Sequence, residues 1–276
     1  MLQHTSPARP VKPVPGPAAQ SPLATGAVWA YAEKGRTRGI GFVDAMSRQP
    51  LMEGEERMPD AVLVSDFDGT MTAEDFYSLA AARLLPPDAL APWNEYRAGR
   101  MTHFAALRTI FSRIRAPEAE VLAVVADMGL DPGLAASLAR LRAAGWEVVV
   151  ASAGCDWYIR RLLDAAGVRL EVHANPGVYR PGGPLVMDAP PPSPFTCDET
   201  GVDKAAVVRD ALSRAGTVAF AGDGFADLPA ALLVPAGRRF ARGDLAGALG
   251  GRGQGFRPFA VWSDVAAMLL EEGGTS

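Results

Sequence analysis

Ala61-Val62-Leu63-Val64-Ser65-Asp66-Phe67-Asp68-Gly69-Thr70 sets two carboxylates directly after a short apolar run. Such a run, bounded by polar turn residues, is the pattern of a strand covered on both faces, and it predicts a central parallel strand. In open parallel sheets ligands bind beyond the carboxyl ends of the strands, which is where Asp66 and Asp68 fall. Side-chain alternation turns Phe67 away from its neighbours, so the two carboxylates approach one centre, and Gly69 permits a sharp turn. Asp beside Gly also suits a plain turn or a helix cap. The functional reading has its own physical demand: carboxylates this close repel unless a cation or a shared proton relieves them. A hard divalent ion bound through oxygen, such as Mg2+, is the simplest relief.

Two more apolar runs end in polar residues. Residues 147–151 lead into Ser152-Ala153-Gly154, and residues 217–221 lead into Gly222-Asp223-Gly224-Phe225-Ala226-Asp227. Each then enters a helical segment, and this alternation builds a parallel sheet flanked by helices. From Thr72 to Gly145 helical periodicity takes over, with stripes at Phe104, Leu107, Phe111 and Ile114, at Val121, Val125 and Met128, and at Leu134, Leu138 and Leu141. This helical insertion of about 70 residues is too long for an ordinary strand-to-helix loop. Residues 172–200, with Pro190-Pro191-Pro192, predict a short hairpin and a loop, and the Gly-rich residues 250–255 predict a turn.

Residues 1–58 differ from the rest: Pro7, Pro10, Pro13, Pro15, Pro17 and Pro22 fall among few large apolar residues, which predicts a disordered extension. A second reading sets the first residue at Met58, because Gly54-Glu55-Glu56-Arg57 implies purine-rich codons like those of a bacterial ribosome-binding site. The expected division is then an extension over 1–58, a core over 59–71 and 146–276, and a helical cap over 72–145.

The chain has 276 residues, 49% of them hydrophobic, and a formal net charge of -4. That length supports a substantial core, and the acidic balance argues against a nucleic-acid or anionic-membrane binder. No apolar run approaches the roughly 20 residues needed to cross a bilayer, and the order of a secretory signal is missing, so the expected address is the cytoplasm. Two cysteines, Cys155 and Cys197, supply neither a disulfide scaffold nor a four-thiolate zinc site. His4, His103 and His173 lack the close spacing of zinc hydrolases.

Asp66-Phe67-Asp68-Gly69-Thr70, Ser152, Lys204 and Gly222-Asp223-Gly224 with Asp227 together resemble the four ordered motifs of the haloacid dehalogenase superfamily, over about Ala61 to Gly237. The resemblance implies a Rossmann-like core with an inserted helical cap and an aspartyl-phosphate mechanism. Asp66 would attack phosphorus, and Asp68 would protonate the leaving oxygen and then activate water. Asp66, the Asp68 carbonyl and Asp223 would hold Mg2+, with Asp227 an additional contact. Ser152, with the backbone of Ala153 and Gly154, would hold a phosphoryl oxygen, although an N-cap serine fits the same place. Lys204 opens a helix, where a cation is unfavourable without a nearby anion; a phosphoryl group supplies one, and a solvated lysine is the alternative.

The cap position resembles the phosphoserine phosphatase branch, but Ala226 stands where that branch carries Asn. Ser152-Ala153-Gly154-Cys155-Asp156-Trp157-Tyr158 and His173-Ala174-Asn175 look closer to the methionine-salvage phosphatases acting on 2-hydroxy-3-keto-5-methylthiopentenyl-1-phosphate. The expected partner is therefore a small phosphorylated metabolite. A phosphotransferase using homoserine as acceptor and a phosphate-binding regulatory protein without turnover are the competing readings. Arg100, His103, Asp156, Trp157 and Tyr158 stand as pocket candidates, with a solvated helix face or core packing as the alternative for each.

Overall fold

Strand β1 (Ala61–Ser65) forms where the apolar run predicts it, and all five of its residues are buried. The computed structural model describes residues 59–273; the expected extension over 1–58 and the Met58 start lie outside them. β1 pairs in parallel with β2 (Trp146–Cys155) on one side and with β8 (Thr217–Gly222) on the other. Strands β3 (Glu171–Asn175), β9 (Arg239–Ala241) and β10 (Arg257–Pro258) complete a six-stranded sheet of order β10-β9-β8-β1-β2-β3, parallel throughout. Residues 177–187 form the predicted hairpin from β4 (Gly177–Tyr179) and β5 (Leu185–Met187), and β6 (Thr196–Cys197) pairs with β7 (Gly201–Val202).

Between β1 and β2 run α1 (Phe76–Leu84), α2 (Ala91–Arg97), α3 (His103–Phe111), α4 (Glu118–Ala126) and α5 (Leu134–Ala143). After β2 come α6 (Asp156–Ala165), α7 (Lys204–Arg214), α8 (Leu228–Ala231), α9 (Gly243–Gly250) and α10 (Trp262–Gly273). Alternate strand residues explain the layers. Val62, Val64, Val149 and Phe220 pack with Val207 and Val208 of α7 and Leu245 of α9. Leu63, Val148 and Val150 pack with Leu138 and Leu141 of α5, Ile159 of α6, and Trp262 of α10. Each such aliphatic side chain, fully buried, contributes roughly 1.5–3 kcal/mol, so the sheet is held from both faces.

Three details depart from the sequence reading. β2 continues past Ala151 to Cys155 with a register shift between those residues, so Ser152, Ala153 and Gly154 lie in an irregular strand end, and the α6 N-cap is Cys155 rather than Ser152. The buried face of α3 is built from His103, Ala106, Leu107, Ile110 and Phe111, leaving Phe104 only partly buried. β9 and β10, too short to show any period, were not predicted. Arg239 sits buried in β9 because its guanidinium donates to the carbonyls of Ala231 at 2.7 Å, Val234 at 2.8 Å and Gly255 at 2.9 Å, which offsets the cost of burying a charge.

Candidate active site

The order of the sheet reverses at β1, the position where parallel sheets open a crevice at their carboxyl ends. The ends of β1, β2 and β8 carry the three predicted motifs. The backbone of Asp66 is fixed by its N–H to the Ala221 carbonyl at 2.9 Å. Its carbonyl accepts from the Ser65 hydroxyl at 2.7 Å, which in turn accepts from the Trp262 indole at 3.0 Å. Gly69 turns with φ 65, and a Cβ there would run into the Asp223 carboxylate, so the turn and the approach of Asp223 both require glycine.

Lys204 is buried and bridges two carboxylates, with its Nζ 2.8 Å from Asp66 Oδ1 and 2.6 Å from Asp227 Oδ1. These acids, rather than a bound phosphoryl group alone, answer the lysine's position at the start of α7. Asp203, the N-cap, accepts from the Ala206 N–H at 3.0 Å and fixes where that helix begins. Burial pulls the Lys204 ammonium down, but Asp227 and Asp66 outweigh it and hold it above its usual range. Asp227 is fully buried, and its second oxygen accepts from the Asp223 and Gly224 N–H groups at 3.1 and 2.9 Å. It therefore ties the fourth motif to Lys204.

Asp66, Asp223 and Asp227 each offer an oxygen within 4.8 Å of the others. Burial and the neighbouring Asp227 and Asp223 raise the Asp66 carboxyl well above the usual range, against the opposing pull of Lys204. Burial and Asp227 push Asp223 up to about 6, opposed by the Thr70 hydroxyl, which donates to it at 2.9 Å. One lysine does not balance this concentration of charge, and an all-oxygen donor set suits a hard cation. The residues present fit such an ion.

Asp68 faces other partners. Its Oδ2 accepts from the Tyr158 hydroxyl at 2.9 Å and lies 3.5 Å from the Ser152 hydroxyl, and its Oδ1 accepts from the Phe76 N–H at 3.2 Å. Burial raises its carboxyl, with the Phe76 and Tyr158 hydrogen bonds working in the opposite direction. Ser152 Oγ accepts from the Gly154 N–H at 3.0 Å. Asn175 ties this loop to the segment before α7, donating to the carbonyls of Ala153 at 2.8 Å and Thr200 at 3.0 Å.

All the motif residues expected at the site thus line or adjoin one cleft of about 750 Å³, solvent mouth included, with Asp66, Asp68, Ser152, Ala153, Gly154, Lys204, Asp223 and Asp227 among its lining. Of the other candidates, His103 and Tyr158 also line it. Arg100 instead pairs with Glu95 at 2.6 Å on the surface, Trp157 packs at a tilt against Tyr179, and Asp156 accepts from the Gly177 N–H at 2.8 Å. Cys155 is buried, which pushes its thiol up to about 12, and Cys197 contacts Thr200 at 3.1 Å. Asp75 is a lining residue that the sequence reading missed. Its signal was an Asp before a helix, the usual cap, but it makes no cap hydrogen bond, and burial with the Asp68 charge pushes it up to about 8.

This sheet, with its carboxylates at the switch point, is the architecture of one enzyme class. Residues 63–232 match the haloacid dehalogenase-like hydrolases, and the chain belongs to that family. No curated protein matches the sequence. Among solved structures it is similar to a HAD family hydrolase from Salmonella enterica subsp. enterica serovar Typhi, at 21% identity over 74% of this chain and 69% of that one, with a TM-score of 0.57. A probable phosphoserine phosphatase from Vibrio cholerae, unliganded, matches at 19% identity over 78% and 67% of the two chains with a TM-score of 0.56. A substrate-bound phosphoserine phosphatase complex matches at 14% identity over 79% and 99%, TM-score 0.52. At these identities the likeness is one of fold. No described helix is long and apolar enough to cross a membrane.

Proposed function

We propose that the chain is a magnesium-dependent phosphatase of small phosphorylated metabolites. The observation that carries this reading is the division of labour between neighbouring carboxylates: Asp66 is ion-paired to Lys204 at 2.8 Å, whereas Asp68 is hydrogen-bonded to Tyr158 at 2.9 Å. Lys204 favours the ionised, nucleophilic form of Asp66 against the rise that burial and the neighbouring acids impose on it, and burial lets Asp68 hold a proton that it can give up. Asp66 attacks phosphorus, the bond to the leaving oxygen breaks, and Asp68 gives that oxygen its proton. Asp68 then takes a proton from water, whose oxygen attacks the aspartyl phosphate, releasing phosphate and restoring Asp66. Ser152, the Ala153–Gly154 backbone and Lys204 hold the phosphoryl oxygens through both steps. Asp66, Asp223 and the Asp68 carbonyl would hold Mg2+, which supplies positive charge against the phosphoryl oxygens. In this reading α1, α2 and α3, which supply cleft-lining side chains, cover the cleft as a cap, whereas α5, within the expected cap of residues 72–145, packs on the sheet.

For the substrate, the methionine-salvage ketone phosphate is proposed ahead of phosphoserine. Ala226 in place of the phosphoserine branch's Asn supports that order, as does the run from Ser152 to Tyr158. Incubation of the purified chain with 4-nitrophenyl phosphate and Mg2+, followed by a panel of phosphorylated metabolites, tests the proposal. Phosphate release is expected. No release from any ester would leave a phosphate-binding protein, and transfer to homoserine in place of water would make the chain a phosphotransferase.

A further inference from the structure

β3 lies at the edge of the sheet with its faces only partly covered, yet its last residue, Asn175, is fully buried. Both Nδ2 hydrogens are engaged, by the carbonyls of Ala153 at 2.8 Å and Thr200 at 3.0 Å, while Oδ1 is buried with no hydrogen-bond partner. The two carbonyls fix the orientation of the carboxamide, because turned over it would set its oxygen against two acceptors. Gly201 closes the far side: its φ of 78 and an approach at which a Cβ would come within 1.9 Å of Oδ1 both require glycine. An unmatched buried acceptor lowers stability, so packing alone does not account for an amide here.

The first arm of the amide orients the end of β2. Pairing of β2 with β3 lapses between Ala151 and Cys155, so the ladder does not hold residues 152–154, and Asn175 takes its place. The Ala153 carbonyl and the Gly154 N–H belong to one trans peptide and point in opposite directions. Anchoring the carbonyl therefore turns the Gly154 N–H the other way, where it meets Ser152 Oγ at 3.0 Å. That hydroxyl lies 3.5 Å from Asp68. The second arm holds the approach to Lys204. Past Thr200 the chain is pinned at Val202, whose carbonyl accepts from the Thr200 hydroxyl at 2.7 Å, and at Asp203, whose N–H donates to the Phe195 carbonyl at 2.8 Å. Little slack separates the amide from the lysine.

We propose that Asn175 is the positioning residue of the phosphoryl site: its carboxamide sets the spacing between the Ser152–Gly154 loop and the Lys204 segment, and so keeps both sets of donors where phosphoryl oxygens fall. This rests on the phosphatase reading for what those donors hold. Asn175 stands outside the cleft lining and acts through its two carbonyls. A misplacement of about 1 Å in such donors can lose roughly a hundredfold in rate, which makes one amide at this junction decisive.

Asn175→Ala, as the full chain with Mg2+, should lower kcat/KM for 4-nitrophenyl phosphate about a hundredfold. About tenfold should appear as weaker binding of orthophosphate by calorimetry, and the rest in kcat. A purely structural role would lower Tm and leave phosphate affinity and kcat of the folded protein unchanged, and that result overturns the proposal. Magnesium should raise the Tm of the variant as much as that of the parent; loss of this shift together with phosphate binding would mean that the whole site is disturbed and would overturn the positioning. Asn175→Asp keeps the size and, when protonated, one donor. Its phosphate affinity should lie between those of the parent and Asn175→Ala, with a deficit against the parent that widens as pH rises and a carboxylate comes to face two carbonyls. Should Asn175→Ala fail to fold, this isosteric variant decides, and affinity equal to the parent's at every pH overturns the proposal. Weakened phosphate binding in the variants of a chain that hydrolyses no ester upholds the positioning and overturns the phosphatase reading. A parent that neither binds phosphate nor releases it overturns both.

Discussion

The Tyr158 phenol donates to Asp68 Oδ2 at 2.9 Å while its oxygen accepts from the Cys155 N–H at 3.1 Å, so a residue of α6 helps lower the proton affinity of a carboxylate on the β1 loop that burial raises. Burial raises the Tyr158 hydroxyl well above its usual range, which keeps it a donor. Its hydrogen bond lowers the Asp68 carboxyl. Tyr158→Phe removes that pull, so the Asp68 carboxyl rises and the limb on which activity falls with increasing pH, where Asp68 loses the proton it gives the leaving oxygen, moves to higher pH. A drop of roughly ten- to a hundredfold in kcat is expected with it. A pH profile of kcat checks this; an unmoved limb would show that another group titrates there.

Asp66→Asn keeps the size of the side chain and removes the nucleophile. Turnover should fall by at least about a thousandfold while circular dichroism stays native. Trapping with fluoride analogues or direct mass measurement of the phosphoenzyme should give signal in the parent and none in the variant.

Lys204→Met leaves Asp66 and Asp227 facing each other in a buried site without their shared cation. Removing one partner of a buried ion pair typically costs about 3–5 kcal/mol. Thermal unfolding without metal should show a lowered Tm as well as lost activity. A Tm equal to the parent's would mean that the lysine does not hold the two acids together.

Magnesium should raise Tm by an amount that grows with the logarithm of its concentration once above Kd, and EDTA should reverse that shift and stop phosphate release. In Asp223→Asn the shift should be sharply reduced, because one of the carboxylates within 4.8 Å of its neighbours is lost. This readout does not depend on turnover, and an undiminished shift in the variant would move the ion elsewhere.

Asp75, pushed up to about 8 from 3.8, binds its proton more tightly folded than unfolded. Its contribution to stability is therefore complete below about pH 4 and is lost as pH rises through 8. Asp75→Asn stays neutral throughout. In metal-free protein it should raise stability at pH 9 by about 1–2 kcal/mol, after discounting for the half-buried position, and change little at pH 4. Equal effects at both pH values would rule out the shift.

What the sequence made legible was the backbone frame and the charged motifs along it. Ala61 to Ser65 could be read as a buried strand because every residue in it is covered, and the spacing of Asp66 and Asp68 followed from side-chain alternation. Leu134, Leu138 and Leu141 likewise announced α5. Less legible were the contacts that cross between elements. Nothing local to Tyr158 indicates that its hydroxyl meets a carboxylate 90 positions earlier, since an aromatic in a first helical turn reads as core, which Tyr158 also is. His103 reads as a polar residue on a helix; only the folded cleft shows it turned inward between Trp93 and Tyr96. Strand β3 falls largely within residues 172–200, whose Pro and Gly content predicts a hairpin and a loop; its faces are only partly covered, so the apolar signal of a central strand is weak there.

Arg242 donates to the carbonyls of Gly69 at 2.6 Å, Thr72 at 2.7 Å and Ala260 at 2.7 Å. Every receiving atom belongs to the main chain, which all amino acids share, so this fastening makes no demand on which side chains occupy the three receiving positions. The information resides in one residue: the forked, five-donor guanidinium reaches three carbonyls in two loops at once, where a lysine offers a single point. Lineages of this chain are free to vary Thr72 and Ala260 without loosening the fastening itself, while the identity at 242 carries the whole of it.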